Sequence, residues 1–281
     1  MAPNEKQREA WNGPESVHYV RHADRFDRQL APFTDALVEQ VRQGPHRSLL
    51  DVGCGCGALT LAAARVADSA VGADISAPLT EVASDRARTA GVDNVEFVVA
   101  DAQTHAFAPG SFDVVVSQFG LMFFDDPLTA FSNLRASLTA DGRLAFISWQ
   151  GLRANEWLTV VATEAAKHVE VPEFGGLSRG PGMFALMEQD ETSGLLAKAG
   201  YTDVTFEPLA PTLVVGGGGS LDESIDFLLG NGMVRGLVGL VGTDAQGAVI
   251  EAVRRSLAEH YEAGIGLRLG AGAWMVTARC G

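Results

Sequence analysis

Between Ser48 and Gln150 the chain alternates short apolar runs with stretches of helical pattern. Leu49, Leu50 and Val52 form the first run, which stops at Gly53 and reads as a buried parallel strand entering a tight turn. The alanine-rich residues 58–66 follow with good helix composition. A second strand is predicted over residues 70–74, a helix over 79–90 closed by Gly91, a third strand over 95–100 and a fourth over 112–117. Pro127 opens a helix running to Leu138, since proline suits a first helical turn, and Asp141-Gly142 turns into a fifth strand over 143–148. Such alternation predicts βαβ units, a parallel sheet and a ligand site at the C-terminal edge of its strands.

The flanking regions have a different rhythm. Residues 1–45 place Trp11, Val17, Tyr19, Phe26, Leu30, Phe33, Leu37 and Val41 at helical spacing and are expected to fold over the core as a lid that ends at Gly44-Pro45. After Gln150 a helix is predicted over 155–169, then a Pro/Gly-rich loop over 172–182, a helix over 190–200 and a strand over 201–206. Gly216 to Gly219 reads as a flexible connector, residues 221–264 as mostly helical, and residues 274–278 as the closing strand. The division expected is a helical lid (1–45), an α/β core bearing the glycine loop (46–150), a helical cap segment (151–200), and C-terminal strands of the core (201–281) with a helical insertion at 221–264.

Bulk composition narrows the partners. The 281 residues are 47% hydrophobic and 20% charged, enough for one large domain or a domain with an inserted cap. A net charge of −14 and a pI near 4.8 argue against nucleic acid and anionic membrane surfaces. Three cysteines, two of them in the glycine loop, give neither a disulfide framework nor a metal site and fit a reduced, cytoplasmic setting. The first nine residues are polar, without the apolar core of a signal peptide, and no run of about 18 apolar residues offers a membrane span.

Two ligand classes compete for the loop Gly53-Cys54-Gly55-Cys56-Gly57-Ala58. Its spacing fits a dinucleotide fingerprint of the G-x-G-x-x-A form, with Asp74 about 20 residues on. Asp51 opposes that reading, because a carboxylate beside a doubly negative pyrophosphate is unfavourable in a poorly solvated crevice. S-adenosylmethionine has no phosphate and carries a sulfonium and an ammonium, so it gains from the same carboxylate. Asp74, ending the second strand, suits ribose hydroxyls; Asp101, after the third, suits an adenine amino group, with the Ala102 backbone on a ring nitrogen. Acids at three successive strand ends are costly together unless they meet donors or cations.

The chain resembles the class I S-adenosylmethionine-dependent methyltransferases, in particular their ubiquinone/menaquinone-type small-molecule branch. The resemblance rests on Leu50-Asp51-Val52-Gly53-Cys54-Gly55-Cys56-Gly57, on Val71-Gly72-Ala73-Asp74, on Ala100-Asp101-Ala102, and on the segments 112–124 and 138–144. It covers roughly residues 15–150, and the final strand more loosely. Cys56 departs from the Thr or Ser the family often has, and a thiol is a weaker hydrogen-bond donor. The resemblance implies a doubly wound, mostly parallel seven-stranded sheet of Rossmann-like type and S-adenosylmethionine as cofactor. It assigns the loop at Gly53, Cys54 and Gly55 to the methionine portion, near Asp51. Asp74 goes to the ribose, Ile75 to the adenine face, Asp101 and Ala102 to the adenine edge, and Ser117 and Gln118 to the surroundings of the sulfonium.

The acceptor is less legible. Glu170 and His168, near the end of the helix entering the cap, are candidate general bases, with an exposed helix end as the alternative. His105, in the loop after the third strand, and His18 and His22 in the lid are weaker candidates. Trp11, Tyr19, Phe119, Met122 and Phe174 are expected at an apolar acceptor pocket, although a share of such residues simply forms core. An apolar pocket would take a quinone, polyketide, alkaloid or prenyl-type compound and methylate it on carbon or oxygen. Two other readings stand beside this one: a nicotinamide-dependent oxidoreductase, and a cofactor-binding interaction protein that no longer transfers methyl groups. The apolar-faced lid also offers a route to a homo-oligomer.

Overall fold

Strand β1 (Ser48–Val52) buries Leu49 and Leu50 completely, so both of its faces are covered, as the unbroken apolar run requires. The computed structural model describes residues 2–44, 48–170 and 180–281. Ahead of β1 come α1 (Glu5–Trp11), α2 (Pro14–Arg21) and α3 (Ala23–Arg42). After it the chain continues through α4 (Ala58–Ala63), β2 (Ser69–Asp74), α5 (Ala77–Ala90), β3 (Val95–Val99), β4 (Phe112–Gln118), α6 (Pro127–Ser137) and β5 (Leu138–Trp149). The second half adds α7 (Glu156–Ala165), α8 (Gln189–Lys198), β6 (Tyr201–Leu209), β7 (Thr212–Val214), α9 (Leu221–Leu229), α10 (Gly232–Gly239), α11 (Thr243–Ala258), β8 (Tyr261–Glu262), β9 (Gly266–Gly270) and β10 (Ala273–Cys280).

Seven strands form one sheet in the order β3-β2-β1-β4-β5-β10-β6. The first five are parallel, and β10 runs antiparallel to both β5 and β6. This is the doubly wound, mostly parallel α/β sheet that the alternation and the family resemblance led us to expect. The order reverses at β1, which has β2 on one side and β4 on the other, and a crevice opens at such a switch point. Local chemistry starts the helices where the sheet needs them. Ser76 caps α5 by accepting from Leu79 N, and Asp126 caps α6 by accepting from Thr129 N.

The amino-terminal helices divide in role. Helix α3 buries Phe26, Phe33, Leu37, Val38 and Val41 and packs on α4, β4 and β5, so it is part of the core layer. Helix α1 is fastened at both ends to loops at the strands' C-terminal edge. The buried Asn4 donates through Nδ2 to Asp101 Oδ1 at 2.8 Å and exchanges two 2.7 Å bonds with Asp125. Beyond the other end, Asn12 donates to Ile75 O and accepts from Ala77 N, while Ser76 Oγ donates to Trp11 O.

Two stretches differ from the pattern-based expectation. Residues 261–270 form β8 and β9, which with β7 make a three-stranded antiparallel sheet in the order β7-β9-β8, in place of the tail of a helical run. Leu267 and Leu269 are buried around the exposed Arg268, an alternation too short to stand out from the glycines beside it. The glycine run 216–219 is a clamped turn and not a loose connector. Arg25 donates to the carbonyls of Gly216 and Gly218, Arg28 donates to that of Gly217, and Gly216 N donates to Gln29 Oε1. All four glycines have positive φ, between 62° and 118°.

A side chain at Gly217 would be strained twice, by its φ of 67° and by a Cβ only 2.5 Å from Arg28 Cβ. Gly217→Ala is therefore expected to destabilise the fold by at least about 1–2 kcal/mol, read as a lower Tm by calorimetry. An unchanged Tm would show that the turn is not held as described.

Candidate active site

At the C-terminal end of β1 the backbone turns through Gly53 and Gly55, at φ of 70° and 53°. Gly53 N and Cys54 N both donate to Ala73 O, and Gly55 N donates to Asp74 Oδ2 at 2.8 Å. The loop also meets the turn after β4 at backbone distance. A Cβ on Gly53 would lie 2.8 Å from Gly120 Cα, and one on Gly120 would lie 2.6 Å from Val52 O. Only glycine fits either position. Ser117 fixes this crossing, donating through Oγ to Val52 O at 2.7 Å while accepting from Gly120 N at 3.1 Å. Ser117 is thus a buried tie between β4 and β1 and is not among the cavity's lining residues. Cys54 is also buried outside the lining, and burial pushes its thiol well above the ordinary range.

Three carboxylates crowd the strand ends. Asp51 is 1% exposed; its Oδ2 accepts from Thr60 Oγ1 at 2.6 Å, and its Oδ1 has no partner. Desolvation, reinforced by the Asp74 charge against the relief from Thr60, pushes its pKa up to about 7. Asp74 accepts one backbone N–H on each oxygen, from Ser76 and Gly55, and burial raises its pKa. Asp101 accepts from Asn4 Nδ2 and Gln103 N on Oδ1. Its Oδ2 accepts no hydrogen bond among the described residues and lies 3.6 Å from the Arg8 guanidinium.

A cavity of about 380 Å³ opens over these ends. Of the residues anticipated from sequence, Gly53, Gly55, Asp74, Ile75, Asp101, Ala102, Gln118, Trp11, Tyr19, Phe119 and Met122 line it. Asp51 stands behind the glycine loop without lining the space. His168 and Glu170 lie past the end of α7, exposed to solvent and outside the cavity lining, because the helix stops at Ala165 before it can carry them inward. The structure therefore does not bring the anticipated bases to the site. His105 is exposed as well. His18 packs against Phe26 and Phe227, and desolvation followed by the His22 charge lowers its pKa to about 4. Phe174 lies outside the described residues.

The remaining walls come from parts of the chain that carry no motif. Asn4, Glu15 and Gln29 reach the cavity from the amino-terminal helices, Trp149 from the end of β5, Trp157 from α7, and Phe227, Asn231 and Met233 from the 221–264 region. Aromatic contacts knit these walls together. Phe119 stacks on Trp149 at 3.9 Å and 8°, and Trp149 meets Trp157 edge-on at 5.7 Å. Opposite the loop, Tyr19 stacks on Phe26 at 4.1 Å and Phe26 packs on Phe227 at 4.7 Å. Trp149 and Phe227 carried no sequence signal beyond being aromatic, since each stands among residues that could equally serve the core.

The Asp51 shift has a direction that can be measured. Its folded-state pKa lies above the ordinary value of 3.8, so the folded state holds the proton more tightly. The stability this group contributes is complete below about pH 4 and is lost as pH rises through about 7. Asp51→Asn mimics the protonated form, so the stability of the variant relative to the parent is expected to grow from pH 5 to pH 8, by up to about 3 kcal/mol, read as a widening Tm difference. A difference that stays flat in thermal melts across that range would show that Asp51 ionises freely.

Comparison with known proteins accords with this geometry. Residues 50–146 match a family described as a methyltransferase domain. The chain is 35% identical over 122 residues to the aklanonic acid methyltransferase DauC of Streptomyces sp. strain C5, covering 42% of this chain and 56% of that protein. It is 34% identical over 116 residues to the nocamycin O-methyltransferase of Saccharothrix syringae, covering 40% and 41%. The chain thus spans about half the length of the curated relatives it matches. The crystal structure of the YcgJ protein of Bacillus subtilis superposes over 88% of this chain and 97% of its own, with a TM-score of 0.57 at 17% identity, which is a likeness of fold. Motifs, sheet order and family match converge on the same residues: the α/β core of this chain is similar to a methyltransferase domain over residues 50–146 and has the doubly wound fold of its structural neighbour.

Proposed function

We propose that the chain transfers the methyl group of S-adenosylmethionine to a hydrophobic small molecule of natural-product type, on oxygen or carbon. The observation that carries this reading is one cavity lined by the buried carboxylates of Asp74 and Asp101 after β2 and β3, with Asp51 behind it, and by an aromatic chamber along β4 and β5. When bound, the cofactor supplies a methyl group already activated on a sulfonium. The names of the two relatives, an aklanonic acid methyltransferase and a nocamycin O-methyltransferase, support a small-molecule acceptor.

The residues present suit that cofactor. Gly53 and Gly55 expose backbone for the methionine portion, Asp74 has spare lone pairs for ribose hydroxyls, and the buried Asp101 Oδ2 has acceptor capacity for the adenine amino group. Ile75 and Ala102 flank the same wall. A cationic head in front of the loop favours the ionised form of Asp51, which then supplies negative potential from behind it. Among the described residues, no lysine, arginine or histidine lines the cavity, so the site offers little to a pyrophosphate, and a nicotinamide dinucleotide is disfavoured. The protein's part in the reaction is alignment of the acceptor and exclusion of water. Helix α1, fastened across the loops of β2, β3 and β4, and the aromatic walls serve both ends.

Incubation with methyl-labelled cofactor and a panel of apolar phenols and ketones tests the activity; tight cofactor binding with no labelled product would leave only a binding protein. Asp74→Ala is expected to weaken S-adenosylhomocysteine by at least about tenfold, since hydrogen bonds to charged groups contribute roughly 1.5–3 kcal/mol. Calorimetric titration measures it, with NADH as the competing ligand. Binding of NADH in place of S-adenosylhomocysteine would overturn the assignment.

A further inference from the structure

Gln118 ends β4, one strand over from the glycine loop, at the point where the sheet order reverses. It therefore stands between the carboxylate wall and the aromatic wall of the cavity it lines. Its amide is oriented from behind. Thr34 Oγ1, on α3, lies 2.9 Å from Gln118 Oε1 and 3.5 Å from Leu30 O, so the single hydroxyl proton goes to the amide oxygen. That leaves the Nε2 group of Gln118, a cavity-lining residue, as a neutral double donor with no hydrogen-bond partner among the described residues.

The next residue adds a flat surface. Phe119 holds a φ of 63°, a conformation a bulky side chain adopts at a cost, and its amide is anchored to Ile147 O at 3.0 Å. The strained turn aims the ring onto Trp149, in a stack at 3.9 Å that is braced edge-on by Phe33 at 5.1 and 5.5 Å. A donor beside a stacked aromatic platform recognises a planar ring system through an oxygen on its rim.

We infer that Gln118 orients the acceptor, and that the acceptor is a flat aromatic compound held on the Phe119–Trp149 platform by a carbonyl or hydroxyl oxygen that accepts from Gln118 Nε2. This inference rests on the methyl-transfer reading of the cavity and names the acceptor's chemistry within it. Thr34 is a positioning residue, acting through the amide it fixes.

Chromone, a planar bicyclic ketone, and naphthalene, its oxygen-free counterpart, probe the site. Each is titrated by tryptophan fluorescence into protein saturated with S-adenosylhomocysteine. The parent is expected to bind chromone at least about tenfold more tightly than naphthalene. Gln118→Leu should abolish that preference by weakening chromone alone, and Thr34→Val should reduce it severalfold through an amide no longer held in one orientation. Saturation with S-adenosylhomocysteine is established for each protein beforehand, so a variant that fails to fold is recognised and the other carries the test. Failure of the parent to bind S-adenosylhomocysteine defeats the underlying reading. Normal cofactor binding with equal affinities for the two probes, no binding of chromone, or a preference that survives both substitutions overturns the role of Gln118 alone.

Discussion

Burial of carboxylates at the ends of adjacent parallel strands is the constraint on which the rest of this molecule turns. A carboxylate removed from water costs several kcal/mol unless donors or cations meet it. Here Asp51 and Asp74 are pushed toward the protonated form by burial. The fold satisfies them only in part, with Thr60 on one oxygen of Asp51 and single backbone amides on each oxygen of Asp74. What remains is an unmet demand for hydrogen-bond donors and positive charge, gathered on one side of one crevice. A ligand with hydroxyls, an amino group and cationic centres answers that demand, and a phosphate-bearing ligand worsens it.

The carboxylates can be held there because the backbone around them permits nothing else. Gly53 and Gly120 touch at Cα distance, Ser117 ties the crossing, and the pairing of β1 with β2 and β4 sets the strand ends level. Rigid elements then present the site, as effective orientation requires. Asn4 extends the same logic to the amino terminus: buried in a left-handed conformation, it bridges Asp101 and Asp125 and so lays α1 across the loops that carry the acids.

The glycine and carboxylate side of the cavity was legible in the chain because its chemistry is local. Asp51, Gly53, Gly55, Asp74 and Asp101 each sit at a predicted strand end, and a strand end in a parallel sheet has one address. The acceptor half was not legible in the same way. Glu170 and His168 looked plausible beside a loop, yet α7 ends before them and leaves them in solvent. Trp149, Trp157 and Phe227 are distant in sequence, and an aromatic that lines a cavity has the same pattern as one that fills a core. The glycines at 216–219 read as slack because nothing nearby in the chain signals that Arg25 and Arg28, 191 and 189 residues earlier, grip their carbonyls.

By itself the sequence determined the alternating α/β architecture, the glycine loop and the three acids, since period, turn chemistry and strand-end position are properties of contiguous residues. Only the tertiary structure decided that α3 belongs to the core, that residues 261–270 pair as strands, and that Thr34 donates to the Gln118 amide oxygen. Those outcomes depend on which surfaces meet across long separations, and hydrophobic burial is indifferent to order along the chain. The glycine side of the cavity is written in one short stretch around Gly53; its aromatic side is set by walls drawn from both ends of the molecule.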